Sequence, residues 1–162
     1  MHALELLPDD AGCDVVRRDW QALRDAGLPS QLDHRGTTNS PHLTAVAAAA
    51  LGPADEERAV DLLGPLLPTE VRTSGIALLG GARVSLVRLV EAPDDLVRAV
   101  LELRRQVVGV QHRGWLPHLT LARRISRPEV GLALDAIGHG EAELRLTTLR
   151  RWDPDAEIVR EL

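Results

Sequence analysis

Two stretches of this chain carry the same four residues. Pro41-His42-Leu43-Thr44 lies in the first third, and Pro117-His118-Leu119-Thr120 opens the last third. Apolar residues follow both words, Ala45-Val46-Ala47 after the first and Leu121-Ala122 after the second. On a β-strand alternate side chains share a face, so each histidine shares one with its threonine while the leucine points the other way. Two such faces turned towards each other surround a small space with two imidazoles and two hydroxyls. Cleaving a phosphodiester with water needs a base for the attacking water and an acid for the departing oxygen. Histidine suits both tasks, because its ordinary pKa of about 6.5 lies near neutrality. The hydroxyls and a nearby arginine would stabilise charge growing on the non-bridging oxygens. That chemistry requires no metal, and no cofactor is expected.

Elements must carry these words to a common place. His2 to Leu7 reads as a short strand, and Pro8-Asp9-Asp10 starts a helix with Asp10 as its expected N-cap. Val15, Val16, Trp20, Leu23 and Ala26 recur at helical spacing until Gly27. Residues 29 to 40 are polar and read as a loop into the first His–Thr strand, over 41 to 48. Gly52-Pro53 breaks that strand, and Asp55, Glu56 and Glu57 sit where a helix N-terminus favours acids. A hairpin follows, 71 to 79 and 83 to 90 around Gly80-Gly81. A third helix opens at Pro93-Asp94-Asp95, with Gly109 as its expected end. The second His–Thr strand is expected over 117 to 123. Ser126 and Glu129 are spaced as a capping box for a fourth helix, and strands are expected over 143 to 149 and 157 to 162.

The element order after each His–Thr strand is similar, which predicts a degenerate internal duplication. The expected fold class is α+β in one domain over 1–162. It is bilobal with a pseudo-twofold: two antiparallel sheets, helices on the outer faces, intertwined lobes with one motif each, and a central cleft.

Composition narrows the classes. The chain has 162 residues, 44% hydrophobic and 27% charged, as expected of a globular protein. Phe, Tyr and Lys are absent, so aliphatic residues and three tryptophans must build the core. Cys13 is the one cysteine, which excludes an intrachain disulfide and predicts an inert helix residue. No apolar run approaches a membrane span, and Met1-His2-Ala3-Leu4-Glu5 does not read as a signal peptide. A cytoplasmic monomer is expected. The net charge of −5 argues against a broad nucleic-acid surface. Yet 34–54 and 103–128 contain no Asp or Glu, so both motifs lie in acid-free windows of an acidic chain. A local anion site is consistent with that.

Two His-x-Thr words, each preceded by Pro and followed by apolar residues, resemble the 2H phosphoesterase superfamily. Within it the chain is most similar to the bacterial 2′-5′ RNA ligase and RNA 2′,3′-cyclic phosphodiesterase branch. The resemblance spans nearly the whole chain. It implies opening of 2′,3′-cyclic phosphates, at RNA ends or in small cyclic nucleotides, to 2′-phosphates, with weak reversible 2′-5′ joining of RNA ends. It implies His118 as general base and His42 as general acid, although the sequence does not choose the polarity. Thr44, Thr120 and Arg123 become phosphate-binding residues, Arg123 because it follows the second threonine by three. The chain departs from the family in its scarcity of aromatics. Trp115, just ahead of His118, is the aromatic best placed to contact a base, with core packing as the alternative. The alternative function is a non-catalytic RNA-end or nucleotide-binding module on the same fold.

The remaining polar residues divide. His34 and Arg35 precede the first motif and His112 and Arg113 the second; all four could approach a substrate, but solvated loops are the favoured reading. A two-His metal site is disfavoured, because neither window supplies an acidic ligand. The carboxylates at 9–10, 55 and 94–95 read as helix-start residues. No phosphate-binding glycine loop, nucleophile elbow or zinc spacing occurs.

Overall fold

The computed structural model describes every residue except Arg35 and Thr37. Among the described residues, seven strands and four helices follow one another as β1 (His2–Pro8), α1 (Asp10–Asp25), β2 (Leu43–Ala48), α2 (Pro53–Leu63), β3 (Thr69–Gly80), β4 (Arg83–Glu91), α3 (Asp94–Gln106), β5 (His118–Ser126), α4 (Val130–Ile137), β6 (Glu143–Asp153) and β7 (Ile158–Glu161). The order β-α-β-α-β therefore occurs twice, from β1 to β3 and from β4 to β6. All pairings are antiparallel, and the fold is α+β as expected.

The two expected sheets are joined into one. Its order is β1-β2-β5-β4-β3-β6-β7, and β6 also pairs with β1, which closes a ring. Length explains the closure. The first residues of β6 pair with β3, and its continuation from Leu146 to Trp152 runs along β1. At the other junction β2 and β5 meet at a single pair, Leu43 with Leu119. These leucines occupy the same place in the two repeated words. An antiparallel pair of equivalent residues has a local twofold between them, so the pseudo-twofold passes through this contact.

Local signals behave as the residue types dictate. Asp9, not Asp10, caps α1: its Oδ1 accepts from the Gly12 amide at 2.8 Å. Asp10 instead occupies the first turn, where a carboxylate faces the positive end of the helix dipole. Within 29–40 the chain forms a 3-10 turn at Gln31–Asp33, closed by a Ser30–Asp33 capping box. α3 ends at Gln106, before Gly109, which turns the chain at φ +73° three residues later. Ser126 and Glu129 form their capping box on a 3-10 turn that leads into α4. Both motif strands and β6 differ in extent from the sequence expectation: β2 starts at Leu43, β5 continues to Ser126, and β6 to Asp153.

The core is aliphatic. Leu4, Leu6, Leu43, Leu63, Leu86, Leu103, Leu119 and Leu121 are essentially inaccessible, as is Trp20. α1 lies beside α4, and α2 beside α3, so helices of opposite halves pack together. Cys13 is buried, and its thiol donates to the Pro8 carbonyl. Burial pushes that thiol pKa up, consistent with a structural residue.

Candidate active site

Both motifs are built the same way, down to an irregularity in the strand. β1 advances one residue, Leu4 to Glu5, while β2 moves two, Val46 to Thr44. β4 advances one residue, Leu86 to Val87, while β5 moves two, Ala122 to Thr120. Each motif strand thus carries an extra residue just after its threonine, a β-bulge. In a regular strand Arg123 would face away from His118, five positions earlier. The bulge restores it: Leu121 and Ala122 are both buried, and Arg123 returns to the side of His118 and Thr120. Ala47 holds the corresponding place in the first motif. Around the threonines the two copies match in backbone and differ in charge, while β5 alone has a further irregularity beyond Arg123, where Arg124 takes φ +64°.

Contacts across the pseudo-twofold hold the carbonyls around both bulges. Trp20 of α1 donates its indole N–H to the Thr120 carbonyl at 3.0 Å. Trp115, in the loop before β5, does the same to the Thr44 carbonyl at 3.0 Å. Arg104 of α3 donates to the Ala45 carbonyl at 2.6 Å and also to the His112 carbonyl. The Gln111 amide donates to the Ala47 carbonyl, and Val110 bridges Ala48. The loop ahead of the second motif is therefore fastened along the edge of the first. Arg104 is buried with its Nε unpartnered, and burial lowers its pKa.

The histidines are held identically. His42 Nδ1 lies 2.7 Å from the Ser40 carbonyl, and His118 Nδ1 lies 2.7 Å from the Leu116 carbonyl. A carbonyl only accepts, so Nδ1 carries a proton in both rings. That leaves Nε2 as the atom able to give or take a proton. Continuing the Leu43–Leu119 register would set His42 against Thr120 and His118 against Thr44.

A cavity of 1180 Å³ opens over this junction. His42, Thr44, Trp115, His118 and Arg123 line it, together with His34 and His112. Thr120 is half-buried on the same strand face but is not among the lining residues, so the structure brings together five of the six expected site residues. Arg113 is exposed and outside the lining, and Arg35 lies outside the described residues. A smaller cavity of 400 Å³, bordered by Thr73, Leu134 and His139, contains neither motif.

Glu5, Arg150 and Trp152 are among the lining residues that the sequence did not single out. Sheet register explains their arrival. Thr44, Glu5 and Arg150 form one row across β2, β1 and β6, and Ala47, Ala3 and Trp152 form a second row two residues away along β1. Glu5 is buried; its Oε2 accepts from Arg150 Nε at 2.7 Å, and its Oε1 lies 3.4 Å from His42 Nε2. The acid-free window around His42 is therefore not acid-free in space. Only alternation in the first strand, which puts Met1, Ala3 and Glu5 on one face, hinted at this.

Among the described residues one group has the spacing to hold a metal ion, His2 with Asp153 and Asp155. Arg151 Nη2 lies 2.5 Å from His2 Nδ1, so a guanidinium already serves that cluster. No described helix is long and apolar enough to cross a membrane.

No protein-family model matches the chain, and no curated protein does. Solved structures do match. A phosphoesterase superposes with a TM-score of 0.52 at 16% identity, covering 99% of this chain and 92% of its own. LigT of E. coli in complex with 3′-AMP gives 0.54 at 17% identity over the same shares, and LigT with ATP gives 0.52 at 17% over 99% and 91%. Along nearly its whole length the chain has the α+β fold of LigT and this phosphoesterase.

Proposed function

We propose that this protein is a metal-independent phosphodiesterase that opens 2′,3′-cyclic phosphates, at RNA ends or in small nucleotides, to 2′-phosphates. The observation that carries the reading is the matched pair of imidazoles, each locked through Nδ1 so that Nε2 is its exchangeable position, in one cavity with Thr44 and Arg123. The phosphate sits between the histidines. His118 Nε2 takes a proton from water as the water oxygen attacks phosphorus, and His42 Nε2 returns one to the departing O3′. Arg123 and the Thr44 hydroxyl donate to the non-bridging oxygens, with Thr120 beside them on the strand. With the 5′-hydroxyl of a second RNA end in place of water, the same step would form a 2′-5′ phosphodiester as the P–O3′ bond breaks and O3′ takes the proton, which is the weak, reversible ligation expected of such a site. The nucleotides bound to LigT support a nucleotide as the substrate's frame.

Turnover of a 2′,3′-cyclic nucleotide and of a short RNA with a 2′,3′-cyclic end, read by phosphorus NMR, tests this. The expected product is the 2′-phosphate, formed equally well with EDTA present. His42→Ala and His118→Ala should each lower kcat by at least about 10²-fold, the range for a lost acid or base. Folded protein that turns over neither substrate sinks the enzyme reading. Tight binding without turnover would then support the nucleotide-binding module instead.

A further inference from the structure

The two histidines are equivalent in backbone setting and unequal in what faces them. His42 Nε2 has the Glu5 carboxylate at 3.4 Å, with Glu5 buried and its other oxygen held by Arg150. The pseudo-twofold supplies an internal control. Glu5 stands opposite Thr44 on β1, and the residue opposite Thr120 on β4 is Val87. No carboxylate is within ion-pair distance of His118 among the described residues. A carboxylate in an anion-binding cavity works against binding unless it has another task. Here Arg150 offsets its charge, and the geometry suggests the task. With Nδ1–H committed to the Ser40 carbonyl, the His42–Glu5 contact is attractive only when Nε2 also bears a proton.

We propose that Glu5 is a positioning residue that holds the Nε2 proton of His42 ready for the leaving oxygen and thereby makes the first motif the acid side of the site. This rests on the phosphodiesterase reading above. In the step, water loses a proton to His118 Nε2 and its oxygen bonds to phosphorus. The P–O3′ bond breaks, and O3′ takes the proton from His42 Nε2. His118 ends protonated and His42 neutral, its lone pair then facing the Glu5 carboxylate. Before the next turnover His118 gives its proton to solvent and His42 regains one. Val87 exerts no such pull on His118, which remains free to begin as the base.

The test separates acid catalysis from support of the fold. Glu5→Gln keeps shape and removes charge. It is assayed on a 2′,3′-cyclic nucleotide and on its analogue with sulfur in place of O3′, whose thiolate departs without a proton. The expected result is a fall in kcat of at least about tenfold on the oxygen substrate, a fraction of the roughly 10²–10⁴-fold a general acid contributes. KM and turnover of the sulfur substrate should stay within about twofold. Because Glu5→Gln leaves buried Arg150 unpaired, the double variant Glu5→Gln/Arg150→Gln is measured alongside, and the same preference for sulfur should persist. Equal slowing of both substrates, or an effect on KM alone, overturns the assignment while leaving the phosphodiesterase intact. A wild type inactive on both substrates overturns the phosphodiesterase reading and this inference with it.

Discussion

The two indole hydrogen bonds provide a paired experiment, because they are alike in geometry and different in burial. Trp20→Phe removes the donor to the Thr120 carbonyl and leaves that acceptor facing a core from which water is excluded, since Trp20 is only 2% exposed. An unsatisfied buried acceptor costs about 1–3 kcal/mol. The space vacated by the smaller ring adds about 1 kcal/mol at roughly 24 cal/mol per Å³ of cavity. The expected loss is about 2–4 kcal/mol, or roughly 4–16 °C in Tm for a chain of this size. Trp115→Phe removes the equivalent donor to the Thr44 carbonyl, also at 3.0 Å, but Trp115 borders the open cavity and water can replace it. Its cost should be at most about 1 kcal/mol, with kinetic consequences instead, because the same bond ties the second-motif loop to the first motif strand. Urea titration and thermal melting of both variants decide the matter. Equal destabilisation by the two, or a loss below about 1 kcal/mol for Trp20→Phe, would refute the claim that buried indoles hold the Thr120 side of the site.

Other substitutions test the remaining links. Arg123→Gln should cost about 1.5–3 kcal/mol of transition-state binding, roughly 10- to 150-fold in kcat/KM, measured by steady-state kinetics with stability unchanged. Arg88 of β4 pairs with Asp19 of α1 at 2.5 Å and also donates to the Ile137 and Gly140 carbonyls. Arg88→Met should therefore destabilise more than Asp19→Asn, by up to about 3 kcal/mol relative to wild type, because it strands a half-buried carboxylate and two carbonyls together. The Asp33 carboxyl is held below the usual range, first by the Ser30 amide and then by Arg24. Its contribution to the 30–33 turn is complete above the ordinary Asp pKa of about 3.9 and lost as pH falls below it. Hydrogen exchange at the Ser30 amide should rise over that acid interval in wild type, and Asp33→Asn should abolish the pH step.

Much of the site was legible because its signals are local. His42, Thr44, His118 and Thr120 are found by a repeated word, and Arg123 by its distance from the second copy through the family resemblance. The hairpin at Gly80-Gly81 and the capping box at Ser126 and Glu129 are spelled by a few adjacent residues, and both formed. Asp9 displaced Asp10 as the cap because two adjacent acids offer the same chemistry, and only backbone geometry selects one. The bulges were not legible at all. Ala45 and Leu121 look like ordinary strand residues, and the extra residue shows only when a partner strand is there to count against.

What the sequence determined by itself was the chemistry available and its duplication: two imidazoles, two hydroxyls, a flexible choice of arginines and a similar element order around each copy. Those properties reside in residue types and short-range periodicity. Tertiary structure decided which other groups joined them. Glu5 and Arg150 are remote from His42 along the chain and adjacent to it across β1 and β6, because pairing register, not proximity in sequence, sets neighbours in a sheet. The same register put Glu5 opposite one threonine and Val87 opposite the other. A site that reads as two equal halves in the sequence therefore becomes unequal in space.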